Sequence, residues 1–165
     1  MDENRTDMAE SQMTATDAGL TPKLIDSLYT EAMMLADEAR AYFDQDGRND
    51  REALGPIERV QFSCESLRVT TRLMHTVSWL LNRKAVTAGE LSEDEGNHPD
   101  RRLGVAGEAA ADDAVLAQLP DRARAVIDAS RDLYDRVKRL DAQLVIEEVP
   151  LSPARQLLGR LERAL

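Results

Sequence analysis

The chain has 165 residues and a mass of 18.4 kDa, a size that suits one domain. Its net charge of -10 argues against a surface that neutralises nucleic-acid phosphates, and its single cysteine excludes an internal disulfide or a cysteine-rich metal cage. The chain opens without a basic, apolar leader, and no apolar stretch approaches the roughly 20 residues that a membrane span needs. We therefore expect a cytoplasmic protein without membrane insertion.

The negative charge is concentrated in two segments. Residues 1–22 carry five acids against one arginine, and residues 88–120 carry eight acids against two arginines, so the remainder of the chain balances to zero. Acidic segments with few apolar residues are typical of polypeptide that lacks a packed core. We expect a disordered acidic arm over 1–20 and a flexible acidic loop over 89–118 on a neutral folded body.

The first predicted helix covers residues 22–43. Thr21 is a capping residue, Pro22 takes the first helical position, and Asp46-Gly47 ends the element before a polar loop that runs to Gly55. Apolar residues recur on one face with a 3.6-residue period: Ile25, Leu28, Tyr29, Ala32, Leu35, Ala36, Ala39, Tyr42 and Phe43. This pattern predicts an amphipathic helix that packs on a core.

The second predicted helix covers residues 56–88, close to 50 Å at about 1.5 Å per residue. One apolar stripe alternates spacings of three and four: Ile57, Val60, Cys64, Leu67, Thr71, Met74, Ser78, Leu81 and Ala85. A second stripe holds Phe62, Val69, Leu73, Val77 and Leu80. A helix that is apolar on two sides must be covered on two sides, so this helix is predicted to be the central element. On its apolar stripe, Cys64 is interpreted as a small buried hydrophobe.

The third predicted helix covers residues 120–144, and the tail 147–165 is predicted to hold a short fourth helix. The third helix has one heptad-like stripe: Ala123, Val126, Ser130, Leu133, Val137, Leu140 and Leu144, widened by Ile127 and Tyr134. Pro150 and Pro153 predict an extended connection over 145–153. Beyond it, one side of an amphipathic helix is formed by Leu157, Leu158, Leu161 and Leu165.

These elements predict an all-α protein, an antiparallel three-helix bundle around the long second helix. No stretch outside the helices shows the period-two alternation of a β-strand. The second helix is longer than the first and apolar on two sides, so part of its apolar surface stays uncovered in a single bundle. Coherent apolar surface of this kind indicates a partner or a second copy, and we expect a homodimer.

A third face of the second helix carries a polar row: Glu58, Gln61, Glu65, Arg68, Arg72, His75, Trp79 and Asn82. The spacings of Glu65, Arg68 and Arg72 allow their charged groups to form one network. Two interpretations remain open at this point: an ordinary solvated face, or a charged surface for partner recognition. Trp79 by itself is expected to pack in the bundle or in a dimer seam.

Motifs for chemistry are weak. His75 on a helix of an acidic bundle is compatible with a histidine phosphotransfer domain, although the Lys-Gly pair that usually follows such a histidine is absent. The Glu95/His98 spacing fits a di-iron ligand pair, but Gly96 and Pro99 predict a loop and a second copy is missing. We find no phosphate-binding loop and no nucleophile elbow in the sequence. We expect a protein that is not an enzyme and that binds neither a cofactor nor a metal.

The segment Glu58 to Met74, with its core Glu65-Ser66-Leu67-Arg68-Val69-Thr70-Thr71-Arg72-Leu73-Met74, resembles the alphaproteobacterial regulator of CtrA degradation (RcdA) family. The continuation Ser78-Trp79-Leu80-Leu81 also fits that family. The resemblance is dense over about residues 25–90. It implies a dimerising three-helix bundle that acts as an adaptor, without catalysis of its own, for the ClpXP protease.

The resemblance also implies partners. They are ClpXP, a response-regulator-like primer of the protease, a cyclic-di-GMP-responsive protein, and CtrA-like cell-cycle regulators as substrates. Our expectation for localisation is the cytoplasm, with concentration at the cell pole. The residues that match the family pattern also include Thr70 and Thr71, and we assign Thr71 to the core. The residues we assign to partner binding are Glu65, Arg68, Arg72, His75 and Trp79. The alternatives are the phosphotransfer module and a dimeric helical signalling scaffold.

Overall fold

The computed structural model describes residues 21–106 and 113–148, with side chains up to Leu144. The predicted arm 1–20 and the predicted tail helix lie outside the described residues. The helices are α1 (Pro22–Ala41), α2 (Arg48–Ala53), α3 (Pro56–Thr87), α4 (Glu93–Gly96), α5 (Asp113–Leu116) and α6 (Asp121–Glu148). No strand occurs in the part of the chain that is described, and the predicted all-α bundle with a long central helix is confirmed.

Helix α1 begins as its sequence predicts. Thr21 Oγ1 accepts a hydrogen bond from Leu24 N at 3.2 Å, and Pro22 follows at the first helical position. The helix continues beyond Ala41 as a π-helical turn that ends when Gly47 N donates to the Tyr42 carbonyl at 2.7 Å. A Cβ at Gly47 would lie 2.8 Å from the same carbonyl oxygen, so this turn requires glycine.

The predicted loop between the first two long helices contains helix α2. Its first turn holds Asp50, whose negative charge suits a helix N-terminus. Tyr42 Oη donates to Asp50 Oδ2 at 2.8 Å, which ties α2 to the end of α1. The charged residues of α2 therefore form a helix here because a hydrogen bond to the buried Tyr42 holds them in place. The local sequence does not reveal this contact.

The core is aliphatic and draws on all three long helices. The predicted face of α1 is buried, as are most of the second stripe of α3 and the stripe of α6. At one end of the bundle, Tyr42, Phe43 and Phe62 meet edge to face with ring centroids 5.1 to 6.1 Å apart. Three of the six aromatic residues thus close one end of the core, and the rest of the core is mostly aliphatic.

Helix α1 runs antiparallel to α3. Phe43, near the end of α1, packs on Phe62, near the start of α3, with ring centroids 5.2 Å apart. Asp26, near the start of α1, pairs with Lys84, near the end of α3. The prediction of antiparallel packing holds for this pair of helices.

Helices α3 and α6 run parallel, which corrects the prediction of a wholly antiparallel bundle. Arg72 Nη1 donates to Ser130 Oγ at 3.0 Å, and Trp79 Nε1 donates to Asp141 Oδ1 at 2.7 Å, so residue numbers rise together along both helices. The cause is the connection over 88–120, which is long enough to bring the chain back to the end at which α3 begins.

The returning connection packs on the bundle along 89–106, where the sequence predicted a flexible acidic loop. Ser92 caps α4 in a capping box, and Asn82 Nδ2 of α3 donates to the last carbonyl of α4 at 2.8 Å. Tyr134 Oη of α6 donates to the Gly104 carbonyl at 2.7 Å. Side chains of two long helices thus hold a segment whose composition alone predicted little order.

Helix α6 is described as far as Glu148, four residues beyond the predicted end at Leu144. Pro150 disfavours the helical conformation only for Val149, the residue before it, so the helix has no reason to end earlier. The prediction of an extended chain from residue 145 was therefore wrong by one turn.

Ionisation of the Tyr42 hydroxyl makes the stability of the fold depend on pH in the alkaline range. Burial first, and then the hydrogen bond and charge of Asp50, raise the pKa of Tyr42 well above its ordinary value near 10. The unfolded chain releases this proton at lower pH than the folded chain, so the stabilisation is present below about pH 10 and is lost as the pH rises further. We expect Tyr42→Phe to reduce the loss of stability between pH 9 and pH 11 in urea unfolding. An unchanged pH dependence in the variant would contradict this assignment.

Candidate interaction surface

The first apolar stripe of α3 faces solvent. Its large side chains are widely exposed: Ile57 by 73%, Val60 by 62%, Leu67 by 68%, Met74 by 66% and Leu81 by 47%. Leu67 and Met74 lie seven residues apart, as do Val60 and Leu67, which is the repeat of a coiled-coil seam. We call this exposed set the α3 stripe: Ile57, Val60, Leu67, Met74 and Leu81. It is a ready surface for another helix.

The polar row, in contrast, has no widely exposed member, and three of its eight residues are buried. Glu65 has no exposed surface, Trp79 is 2% exposed and Arg72 is 8% exposed. The assignment of these three residues to partner binding was wrong, because a partner cannot reach them without separating α3 from α6. The burial of Trp79 confirms that it packs inside the bundle.

Glu65 and Arg72 form the centre of a buried charge network. Arg68 donates a hydrogen bond to Glu65 Oε1, and Arg72 Nη2 lies 3.9 Å from Glu65 Oε2. Arg72 also donates to Ser130 Oγ, which itself donates to the Ile127 carbonyl at 2.7 Å. Burial lowers the pKa of Arg72, and the charge of Glu65 opposes that shift. The network joins α3 to α6 and serves the fold.

Trp79 belongs to a second network on the same side. Its Nε1 and the Nε of Arg102 both donate to Asp141 Oδ1, at 2.7 and 2.8 Å, and Arg102 also binds the Asp141 carbonyl. Arg83 lies over the indole ring, 5.9 Å from its centroid, and donates to Asn97 Oδ1 at 2.8 Å. Trp79 therefore ties α3 to α6 and to the returning connection.

Of the five residues assigned to partner binding, two remain within reach of a partner. The Arg68 side chain is 29% exposed, and His75 is half-buried beside the α3 stripe. We call this pair the polar border: Arg68 and His75.

Two further expectations on the same helix were that Thr71 lies in the core and that Cys64 is buried. Both fail, since Thr71 is exposed and Cys64 is only half-buried.

Gly104 lies directly against the ring of His75. A Cβ at residue 104 would meet His75 Nδ1 at 2.1 Å, so the backbone of the connection covers that nitrogen. Gly104→Ala is expected to lower the free energy of unfolding by about 1–3 kcal/mol through overpacking. The double variant Gly104→Ala/His75→Ala should recover most of that lost free energy, as measured by chemical unfolding. If both chains are equally unstable, the ring is not the obstacle.

A groove borders the α3 stripe on the side of α1. Its volume is about 730 Å³, and its walls include Met33, Phe43, Leu67, Leu73 and Met74. Met33 and Met74 face solvent, with exposures of 39% and 66%. We call this feature the α1/α3 groove. Together with the stripe it forms a continuous apolar surface of the kind that marks binding sites.

Metal ligation finds no support in the described geometry. Glu95 accepts hydrogen bonds from Ser92 N and Oγ at 2.9 Å, which lower the pKa of Glu95, and His98 Nδ1 accepts one from Asp100 N at 3.3 Å. Within residues 21–106 and 113–148, no three His, Cys, Asp or Glu side chains form a group suited to a metal ion.

No helix of those same ranges has both the length and the apolar character that a membrane span requires.

Comparisons with known proteins agree with this bundle. A family model described as "Protein of unknown function (DUF1465)" matches residues 16–165. The crystal structure of RcdA from Caulobacter crescentus CB15 is similar at 31% identity and a TM-score of 0.61, covering 78% of this chain and 95% of that chain. No curated protein sequence matches. The chain belongs to the DUF1465 family and is a member of the RcdA family.

Proposed function

We propose that this protein is a non-catalytic adaptor that helps deliver CtrA-like cell-cycle regulators to the ClpXP protease. Membership of the RcdA family supports the proposal, and the family resemblance of the sequence supplies the partners. The observation that carries it is the exposed α3 stripe, a row of large apolar side chains on a rigid helix. Such a surface binds proteins and needs no reactive group.

The α3 stripe forms the homodimer in this proposal. From Ile57 to Leu81 it spans about 36 Å, and its heptad spacing suits a second helix that packs alongside. In a symmetric dimer the same stripe is used by both copies. Two α3 helices then bury each other's exposed leucine and methionine side chains.

The polar border then provides the contact for other proteins. Arg68 and His75 lie beside the stripe, so a dimer presents them along both sides of its seam. The Arg68 guanidinium is partly exposed and already donates to Glu65, and its remaining N–H groups beside apolar surface suit an acidic or carboxylate-bearing partner. The partners proposed are ClpXP, the response-regulator-like primer and the cyclic-di-GMP-responsive protein, which brings its own nucleotide.

Tethering accounts for the activity. An adaptor that binds a regulator and a protease together raises the local concentration of one at the other. Glu65, Arg72 and Trp79 keep the bundle rigid, and the exposed side chains make the contacts. The place of action in this proposal is the cytoplasm, concentrated at the cell pole.

A capture experiment tests the proposal. Tagged protein is used as bait in a lysate of the source cells, beside the double variant Arg68→Gln/His75→Gln, and mass spectrometry identifies what is bound. Arg139→Gln/His98→Gln makes the same two chemical changes at exposed positions elsewhere and serves as the control. We expect wild type and control to capture ClpX and response regulators, and the polar-border variant to capture much less at a temperature at which circular dichroism shows it to be folded, because Arg68 also pairs with buried Glu65. Equal capture by all three baits would remove the polar border from the proposal.

A further inference from the structure

The α1/α3 groove has a length and direction that suit a short helix. Along α3 its walls run from Leu81 down to Ser66, about 22 Å at 1.5 Å per residue. Its floor is apolar, and its entrance at Leu81 lies at the end of the bundle where α3 finishes. A helix of three turns can therefore lie in it.

The chain itself contains a segment of that size. Residues 155–165 have the sequence RQLLGRLERAL, and Leu157, Leu158, Leu161 and Leu165 fall on one side of a helix. Eleven helical residues are about 16 Å long. A helix with this single apolar side needs an apolar surface to cover it.

The chain is long enough to bring the segment to the entrance of the groove. Trp79 of α3 lies level with Asp141 of α6, so the end of α6 at Glu148 reaches the level at which α3 ends. Residues 149–154 extend up to about 20 Å. To reach the groove, the chain must cross from α6 to the opposite side of the α1/α3 pair, a distance of about two helix spacings of 8–10 Å each. The connection is long enough for the segment to enter its own groove.

The charges of the two surfaces are complementary. Residues 155–165 carry three arginines against one glutamate, and residues 22–46 carry six acids, of which Asp26, Glu31 and Asp46 already pair with basic side chains of α3 and α6. The charged side chains that line the groove itself are Arg40 and Asp44. Asp37 and Asp44 are exposed, and in the described ranges no basic side chain pairs with either of them. Entering at Leu81, the segment brings Arg163 to the level of Asp37 on α1.

We propose that residues 155–165 bind as an amphipathic helix in the α1/α3 groove of their own chain. Leu157, Leu158 and Leu161 then cover Met33 and Met74, and the arginines face the acidic side of α1. The docked segment occupies the space beside the α3 stripe. It acts as an internal competitor for any helix that approaches this surface, whatever function the protein serves.

A spin-label experiment on the full chain tests the docking. Cys64→Ser removes the native thiol, and Gln156→Cys carries a nitroxide on the side of the segment opposite its leucines. Methionine methyl groups are labelled with carbon-13. We expect the Met33 and Met74 signals to lose more intensity than that of Met34, which is exposed on α1 outside the groove and lies farther from the label.

Two further samples decide how the segment binds. Leu158→Ser/Leu161→Ser in the spin-labelled chain should restore the Met33 and Met74 signals. A mixture of spin-labelled chains and separate carbon-13 chains should show much weaker broadening than the single labelled chain, and Met33 should be affected least because it lies outside the proposed dimer seam. Broadening of Met33 in the mixture as strong as in the single labelled chain would mean docking on a second copy, and Met33 and Met74 signals that match a reduced, diamagnetic sample would mean no docking; either result overturns the proposal.

Discussion

Glu65→Leu is expected to lower the free energy of unfolding by about 3–5 kcal/mol, the usual cost of removing one partner from a buried ion pair. Glu65 has no exposed surface, and it is the carboxylate that faces both Arg68 and Arg72. Without it, the Arg72 guanidinium stays between α3 and α6 with only the Ser130 hydroxyl as a described polar contact. Urea unfolding followed by circular dichroism measures the loss.

The double variant Glu65→Leu/Arg72→Leu is the matched control. Because it removes both charges, it should recover most of the stability that Glu65→Leu loses. Arg72→Glu should be the least stable of the series, since it places two carboxylates together in the core. A loss below about 1 kcal/mol for Glu65→Leu, the range of surface ion pairs, would contradict the buried network.

The second large effect is expected at the α3 stripe. Leu67→Glu/Met74→Glu should weaken self-association by at least about 30-fold, since two charges at the centre of an apolar seam cost 2 kcal/mol or more. Both side chains are about two-thirds exposed in the single chain, so thermal unfolding of the monomer should change little. Sedimentation equilibrium over a range of concentrations measures the dissociation constant.

Ala125→Glu/Ala129→Glu introduces the same charges on the exposed face of α6 and controls for charge alone. It should associate as the wild type does. If the control dissociates as readily as the stripe variant, the dimer does not use the α3 stripe.

Much of the fold could be predicted from local pattern. The faces of α1 and α6 follow from their periodicity, and the Thr21-Pro22 start and the Gly55-Pro56 start of α3 follow from capping chemistry. The direction of α6 could not be predicted, because it depends on how the 88–120 connection packs. That packing rests on long-range contacts such as Tyr134 to Gly104, which no local pattern encodes.

The two faces of α3 show why the site was only partly predictable. An apolar stripe with heptad spacing has the same pattern whether it pairs within the bundle or outside it, and a polar row usually indicates solvent. Here three residues of the row are buried, because Glu65 meets Arg68 and Arg72, and Trp79 donates a hydrogen bond to Asp141. Unequal helix lengths and the two-sided apolar pattern were the signal for an exposed stripe, although they did not say which stripe.

The adaptor proposal is tested most directly by reconstituted degradation. Purified ClpXP, the response-regulator-like primer, the cyclic-di-GMP-responsive protein with its nucleotide and a CtrA-like substrate are mixed with or without this protein, and loss of substrate is followed. We expect the wild-type chain to accelerate degradation, Arg139→Gln/His98→Gln to match it, and Arg68→Gln/His75→Gln to lose most of the acceleration. Substrate loss that is equally fast with and without the wild-type chain would contradict the proposed function.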